Sequence, residues 1–213
     1  MTAMGRRSIL RGGLAILGHA VLPTARAGDD VWVPTPAQTA GPFYPDALPD
    51  DIDQDLIQIP TQAGPAKGIV TMISRRVLDV RGMPLAGAQI EIWQCDANGR
   101  YIHSADSGRG LSDPGFQGYG RAVTESDGSY WFRTIRPVPY TGRTPHIHFT
   151  VQTRDGRRLT TQMYVAGEGS NARDCLYRRL PNDAARRSLT VALVPAPQVS
   201  PGALAGRFDI IFA

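Results

Sequence analysis

The sequence predicts an all-β fold, a β-sandwich with long functional loops and an extended N-terminal arm. Three observations carry this expectation. From Gly68 onward, apolar runs of strand length alternate with turn signals. Within Ala88-Gln89-Ile90-Glu91-Ile92-Trp93, apolar and polar residues alternate, as in a strand with one face on a core. The 23 glycines and 17 prolines favour turns and short strands over long helices.

In chain order, residues 1–27 read as an export signal. Arg6-Arg7-Ser8-Ile9-Leu10-Arg11 precedes an apolar stretch from Leu14 to Leu22, too short to span a bilayer, and Ala25-Arg26-Ala27 is a small-x-small cleavage site. The paired arginines look like a twin-arginine signal, read by export machinery rather than serving as a stable membrane anchor; an ordinary secretory signal is the alternative. The expected location is periplasmic or secreted. Residues 28–66, rich in Pro and Asp, read as an arm lying over the domain rather than a core element. Residues 67–213 form the sandwich, with strands expected at Gly68–Leu78, Ala88–Trp93, Tyr130–Ile135, His146–Thr153, Ser188–Val194 and Gly206–Phe212. Asp127-Gly128 is a hairpin turn signal, residues 94–121 a long connection of the kind that carries function, and residues 171–187 a place for a short helix.

The 213 residues, 42% apolar, suit one domain stable without staples. The net charge of +4 arises wholly from Arg6, Arg7, Arg11 and Arg26. The other 19 basic residues balance 19 acidic ones, which removes the electrostatic argument for nucleic-acid binding. Cys95 and Cys175 are the only cysteines; an oxidising compartment would permit their pairing, but the default expectation is two buried thiols.

The sharpest local feature is His146-Ile147-His148. Two histidines at spacing two on a strand share a face and can bind one metal, although a surface histidine beside a hydrogen-bonded one gives the same pattern. Only His103 accompanies them after the leader, and two cysteines are too few for a cysteine-built zinc site. Further ligands would be oxygen donors, and Tyr101 and Tyr140 are the nearest candidates, though taken alone each reads as an amphipathic packing tyrosine rather than a ligand.

Taken together, Ile92-Trp93-Gln94 … Gly99-Arg100-Tyr101, the turn Pro137-Val138-Pro139-Tyr140, and Arg143-Thr144-Pro145-His146-Ile147-His148-Phe149 resemble the intradiol catechol dioxygenases, over roughly residues 38–165. The resemblance implies a non-haem ferric iron, Fe(3+), held by Tyr101, Tyr140, His146 and His148, with Tyr140 the ligand that yields to substrate. Phenolates are hard anionic donors that favour the ferric state. It implies cleavage of a catechol by dioxygen between its two hydroxylated carbons to a cis,cis-muconate, with a protocatechuate-type substrate as the leading expectation. Arg143 would stabilise charge developing on the ring, and Gln162 would contact substrate or support the site. Gly41, Pro42 and Tyr44, in Gln38-Thr39-Ala40-Gly41-Pro42-Phe43-Tyr44, together with Gly142, would line the substrate pocket. Five residues separate Tyr140 from His146, a shorter connection than in the familiar protocatechuate and catechol enzymes, so a more open pocket is expected. The family includes hetero-oligomers and homodimers, which leaves a homo-oligomer open. Two other readings compete: a non-catalytic transthyretin-like binding module, favoured by Gly82-Met83-Pro84 and Asp127-Gly128-Ser129-Tyr130, and a copper or zinc protein using the same residues.

Overall fold

The computed structural model describes residues 32–61, 64–107, 111–140 and 142–213. The expected export signal, residues 1–27, lies outside them. No helix among the described residues is long and apolar enough to cross a membrane.

Two sheets make a sandwich. One has β1 (Val70–Asp79) at its centre, with β4 (Ser129–Ile135) antiparallel on one side and β9 (Leu204–Arg207) parallel on the other; β8 (Val194–Pro195) follows β9, and β10 (Ile210–Phe212) runs beside the end of β1. The second has the order β3 (Tyr119–Val123), β2 (Gln89–Trp93), β5 (His146–Gln152), β6 (Arg158–Val165), β7 (Thr190–Val191). Two short helices, α1 (Cys175–Arg178) and α2 (Asp183–Leu189), lie between β6 and β7. Ile73 and Phe132 of the first sheet and Ile90, Ile92, Ile147, Phe149 and Val151 of the second share one buried core. The period-two alternation of β2 and β5 puts the residues between these, Glu91, Trp93, His146 and His148, on the opposite face.

Several expectations need correcting. Two strands were not expected: β3, which begins within the stretch read as a long loop and runs just past it, and β6, whose Arg158-Leu159-Thr160-Thr161-Gln162 carries few apolar residues. Gly120 weakens the β-propensity of β3, yet the strand needs it, because a Cβ there would lie 2.5 Å from Leu56 Cδ1. Ser188 and Leu189, expected to begin a strand, end α2, and the last expected strand is two, β9 and β10, broken at Phe208. Asp127-Gly128 does form a turn, with the Gly128 N–H donating to the Glu125 carbonyl, but β3 and β4 belong to different sheets, so it carries the chain across the sandwich instead of closing a hairpin.

The N-terminal segment runs along β6, with Gln38 N–H donating to the Thr160 carbonyl and the Thr161 hydroxyl to that of Pro36. Further on it is more than a cover. Leu56 and Ile57 are buried members of the main core, tied in by the Leu56 N–H donating to the Arg133 carbonyl and the Arg133 N–H donating to that of Gln54. An apolar pair within an aspartate-rich stretch carried too little periodicity to be read as core.

Candidate metal centre

Strand register assembles the site. Trp93 of β2 pairs with His148 of β5, which pairs with Gln162 of β6; one step along, His146 pairs with Tyr164. Trp93 and His148 stack with ring centroids 4.8 Å apart and planes within 5°. Both histidines are buried, with their Nε2 atoms 3.2 Å apart. His146 Nδ1 lies 2.6 Å from the Thr144 carbonyl, which can only accept, so Nδ1 carries the proton and Nε2 presents its lone pair. Burial, reinforced by Arg143, pushes His146 down to about 4. Burial, then His146 and Arg143, holds His148 well below the ordinary histidine value. At neutral pH both are uncharged, with their Nε2 atoms converging, which suits a cation between them.

Loops bring the tyrosines to the same place. Arg100 O accepts from Asp96 N, and the Asp106 carboxylate accepts from Tyr101 N, folding the chain after β2 so that the Tyr101 ring is buried. Gly99, at φ +76°, makes that fold possible beside the proline turn: a Cβ there would lie 3.3 Å from Pro139 O and 3.6 Å from Tyr140 Cβ. The two tyrosine rings stand edge to face with centroids 5.2 Å apart, Tyr101 is 6.3 Å from His148, and Tyr140 is 5.5 Å from His146. The Tyr101 hydroxyl is buried without a hydrogen bond of normal geometry. Burial raises the Tyr101 phenol well above its ordinary value, and the nearby Cys95 and Tyr140 add to this. Burial also raises Tyr140, against the opposing pull of the Arg143 guanidinium.

Among the described residues, no three His, Cys, Asp or Glu side chains gather to hold a metal. Two neutral imidazoles converge beside two phenols, one of them lacking a proper partner, and this donor set fits a hard, highly charged ion such as ferric iron. Its charge would draw off the phenol protons that burial otherwise retains.

Arg143 points into a buried network. Its Nε donates to Asp174 Oδ2 at 2.7 Å and its Nη2 to Gln162 Oε1 at 2.7 Å, and its side chain is 12% exposed. Gln162 Nε2 donates to Thr39 O at 2.9 Å, so Gln162 links Arg143 to the N-terminal segment. Gly41 lies against the His148 ring, where a Cβ would be 3.3 Å from Cε1. Pro42 is exposed, and nothing lies within 4 Å of a Cβ built at Gly142. The aromatic side chain that meets the tyrosines is Phe43, stacked on Tyr101 at 5.0 Å and edge-on to Tyr140 at 6.1 Å. Tyr44, the sequence choice, reaches the site only through Trp93, and its hydroxyl donates to Glu91. Neighbouring residues of an extended segment point to opposite sides, and the sequence did not say which side faced inward. His103 is likewise one contact removed, edge-on to Phe43.

The dioxygenase family pattern matches residues 39–212 of the chain. The chain belongs to the intradiol dioxygenase family. This family member is 35% identical over 168 residues to the protocatechuate 3,4-dioxygenase beta chain of Burkholderia cepacia, covering 75% of this chain and 71% of that one. It is 31% identical to a catechol 1,2-dioxygenase of Candida albicans over 67% of this chain, but spans only 51% of that protein. Among solved structures, the dioxygenase domain of a dioxygenase carbohydrate-binding fusion from Streptomyces sp. SirexAA-E superposes with a TM-score of 0.65 and 29% identity, over 84% of this chain and 98% of that one.

The sequence reading missed Asp174, whose buried carboxylate holds Arg143, and the Thr144–Asn171 pair, in which the Thr144 hydroxyl donates to Asn171 Oδ1 at 2.6 Å. Asp174 ahead of Cys175-Leu176-Tyr177 had a helix N-cap signature, but nothing in that pattern pointed at Arg143. The two cysteines are free, Cys95 buried and Cys175 exposed, so the expectation of two buried thiols holds for Cys95 alone. Cys175 is the first residue of α1 and faces outward, because the inward contacts there belong to Asp174 and Tyr177.

Proposed function

We propose that this protein is a non-haem ferric iron dioxygenase that cleaves a catechol between its two hydroxylated carbons, with dioxygen, to a cis,cis-muconate. The observation that carries the reading is the convergence of two uncharged imidazole Nε2 atoms, 3.2 Å apart, beside the paired phenols of Tyr101 and Tyr140. Tyr101, Tyr140, His146 and His148 would hold the iron, which when bound supplies Lewis acidity toward the catechol oxygens.

The chain's own groups divide the remaining work. Tyr101 is enclosed, whereas Tyr140 is half-buried on a turn beside Arg143. Tyr140 would therefore be the freer of the two phenolic ligands, and its Oη, once deprotonated, would be a base for one catechol proton. Arg143 keeps its charge at any working pH, and Asp174 and Gln162 hold it against rotation, so its field is already oriented when negative charge builds on the ring. Trp93 and Gly41 clamp the His148 ring from the sheet and from the N-terminal segment. The open space at Gly142 and the short run to His146 support a catechol bearing a ring substituent, such as protocatechuate, as the substrate class. The paired arginines of the leader support export to the periplasm or beyond.

The test is to load the purified protein with ferric iron, measure metal content and visible absorption, and follow oxygen uptake across a panel of substituted catechols with product identification. The reading requires one iron per chain, a broad charge-transfer band and a ring-opened diacid; a colourless protein with bound iron would overturn it.

A further inference from the structure

The Asp174 carboxylate is divided between two tasks. Oδ1 accepts from Leu176 N at 2.9 Å and Tyr177 N at 3.0 Å, capping α1. Oδ2 accepts from Arg143 Nε at 2.7 Å and from Thr144 N at 3.0 Å, two consecutive residues at the entrance to β5. The carbonyl of the same residue, Thr144, fixes the His146 ring, and the Thr144 side chain is held by Ser170 and Asn171. The carboxylate is fully buried and carries four hydrogen bonds, two of which hold segments of the candidate centre.

We propose that Asp174 is a positioning residue: its Oδ2 sets the Arg143 guanidinium and, through the backbone of Thr144, the orientation and tautomer of His146, so that the charge stabiliser and one candidate ligand are placed by one carboxylate. This rests on the dioxygenase reading of the same site. A salt bridge that merely stabilised the fold would need no second bond from the same oxygen to the N–H of Thr144, the residue whose carbonyl meets His146. The hydrogen bonds of the Asp174 carboxylate run to Arg143, Thr144, Leu176 and Tyr177, so its influence on chemistry passes through Arg143 and, by way of Thr144, His146.

Two full-length variants test it. Asp174→Asn replaces one oxygen by a donor group in the same shape. Asp174→Ser keeps an oxygen able to cap α1 but cannot reach Arg143, and it carries the test if the asparagine variant does not fold. Long-range proton–nitrogen NMR of the iron-free protein reports the His146 tautomer, and turnover of the iron-loaded protein reports Arg143. The expected results are a His146 signal no longer confined to the Nδ1–H form, kcat lowered about 100-fold with smaller change in KM, and no further loss when Arg143→Ala is added. An unchanged His146 tautomer, kcat within about threefold of the parent, or losses that multiply in the double variant would each overturn the proposal. If the parent protein takes up no iron, the dioxygenase reading fails, while the tautomer measurement still decides whether Asp174 orders His146.

Discussion

Gly99 is the residue on which the approach of the two tyrosines depends, and Gly99→Ala measures that dependence. Its φ of +76° costs an L-residue about 1–2 kcal/mol. The new Cβ would also sit 3.3 Å from Pro139 O and 3.6 Å from Tyr140 Cβ, so the proline turn must retreat by a few tenths of an ångström. Gly202 is the matched control: its φ is +77°, but nothing lies within 4 Å of an added Cβ. Both alanine variants should lose the backbone contribution, about 2–8 °C in Tm for a domain of this size. Only Gly99→Ala should also displace Tyr140, seen as a shifted visible band in the iron-loaded protein and a raised KM for catechol. If the two variants match in Tm, band and KM, the Gly99 contact does not place Tyr140 and the account of how the loops meet is wrong.

Tyr101→Phe and Tyr140→Phe should each shift the band, but Tyr101→Phe should lose more iron because its ring is the enclosed one; equal retention measured by metal analysis would argue against unequal roles. Arg143→Ala should retain iron and colour while kcat falls about 100-fold, and undiminished oxygen uptake would remove Arg143 from the chemistry. For the iron-free protein, His146 is depressed to about 4, so the unfolded chain binds more protons between about 4 and the ordinary value of 6.5. Stability is therefore fully present above pH 6.5 and falls by about 3 kcal/mol as pH drops toward 4, with His148 acting in the same sense; urea midpoints that stay flat over that range would contradict the buried neutral pair. Burial pushes the Cys95 thiol up to about 12, so a thiol reagent should label the exposed Cys175 in the native protein and both cysteines only after denaturation.

The sandwich was legible because β2 and β5 carry strict alternation and the intervening turns carry glycine and proline, both of them local signals. β3 and β6 were not, since each is stabilised by neighbours distant in sequence, Leu56 packing on Gly120 and Gln38 pairing with Thr160. The same division holds at the site. His146 and His148 announce themselves within three residues, and Tyr101 and Tyr140 lie in recognisable motifs. Asp174 lies 31 positions from Arg143 and Phe43 more than 50 from Tyr101, and no local pattern encodes contacts of that reach.

On β5 the candidate ligands and the core share one run of backbone, with even positions for chemistry and odd positions for cohesion. Parity of this kind divides heritable variation into two kinds. A one-residue slip of β5 would exchange His146 and His148 for Ile147 and Phe149, losing the candidate ligands and the core together. A residue inserted in the turn between Tyr140 and Arg143 would leave the strand in register and alter only the surface beside the candidate site. A lineage built on this strand can explore new ring substituents one loop residue at a time, while its oxygen chemistry stays under the guard of its folding.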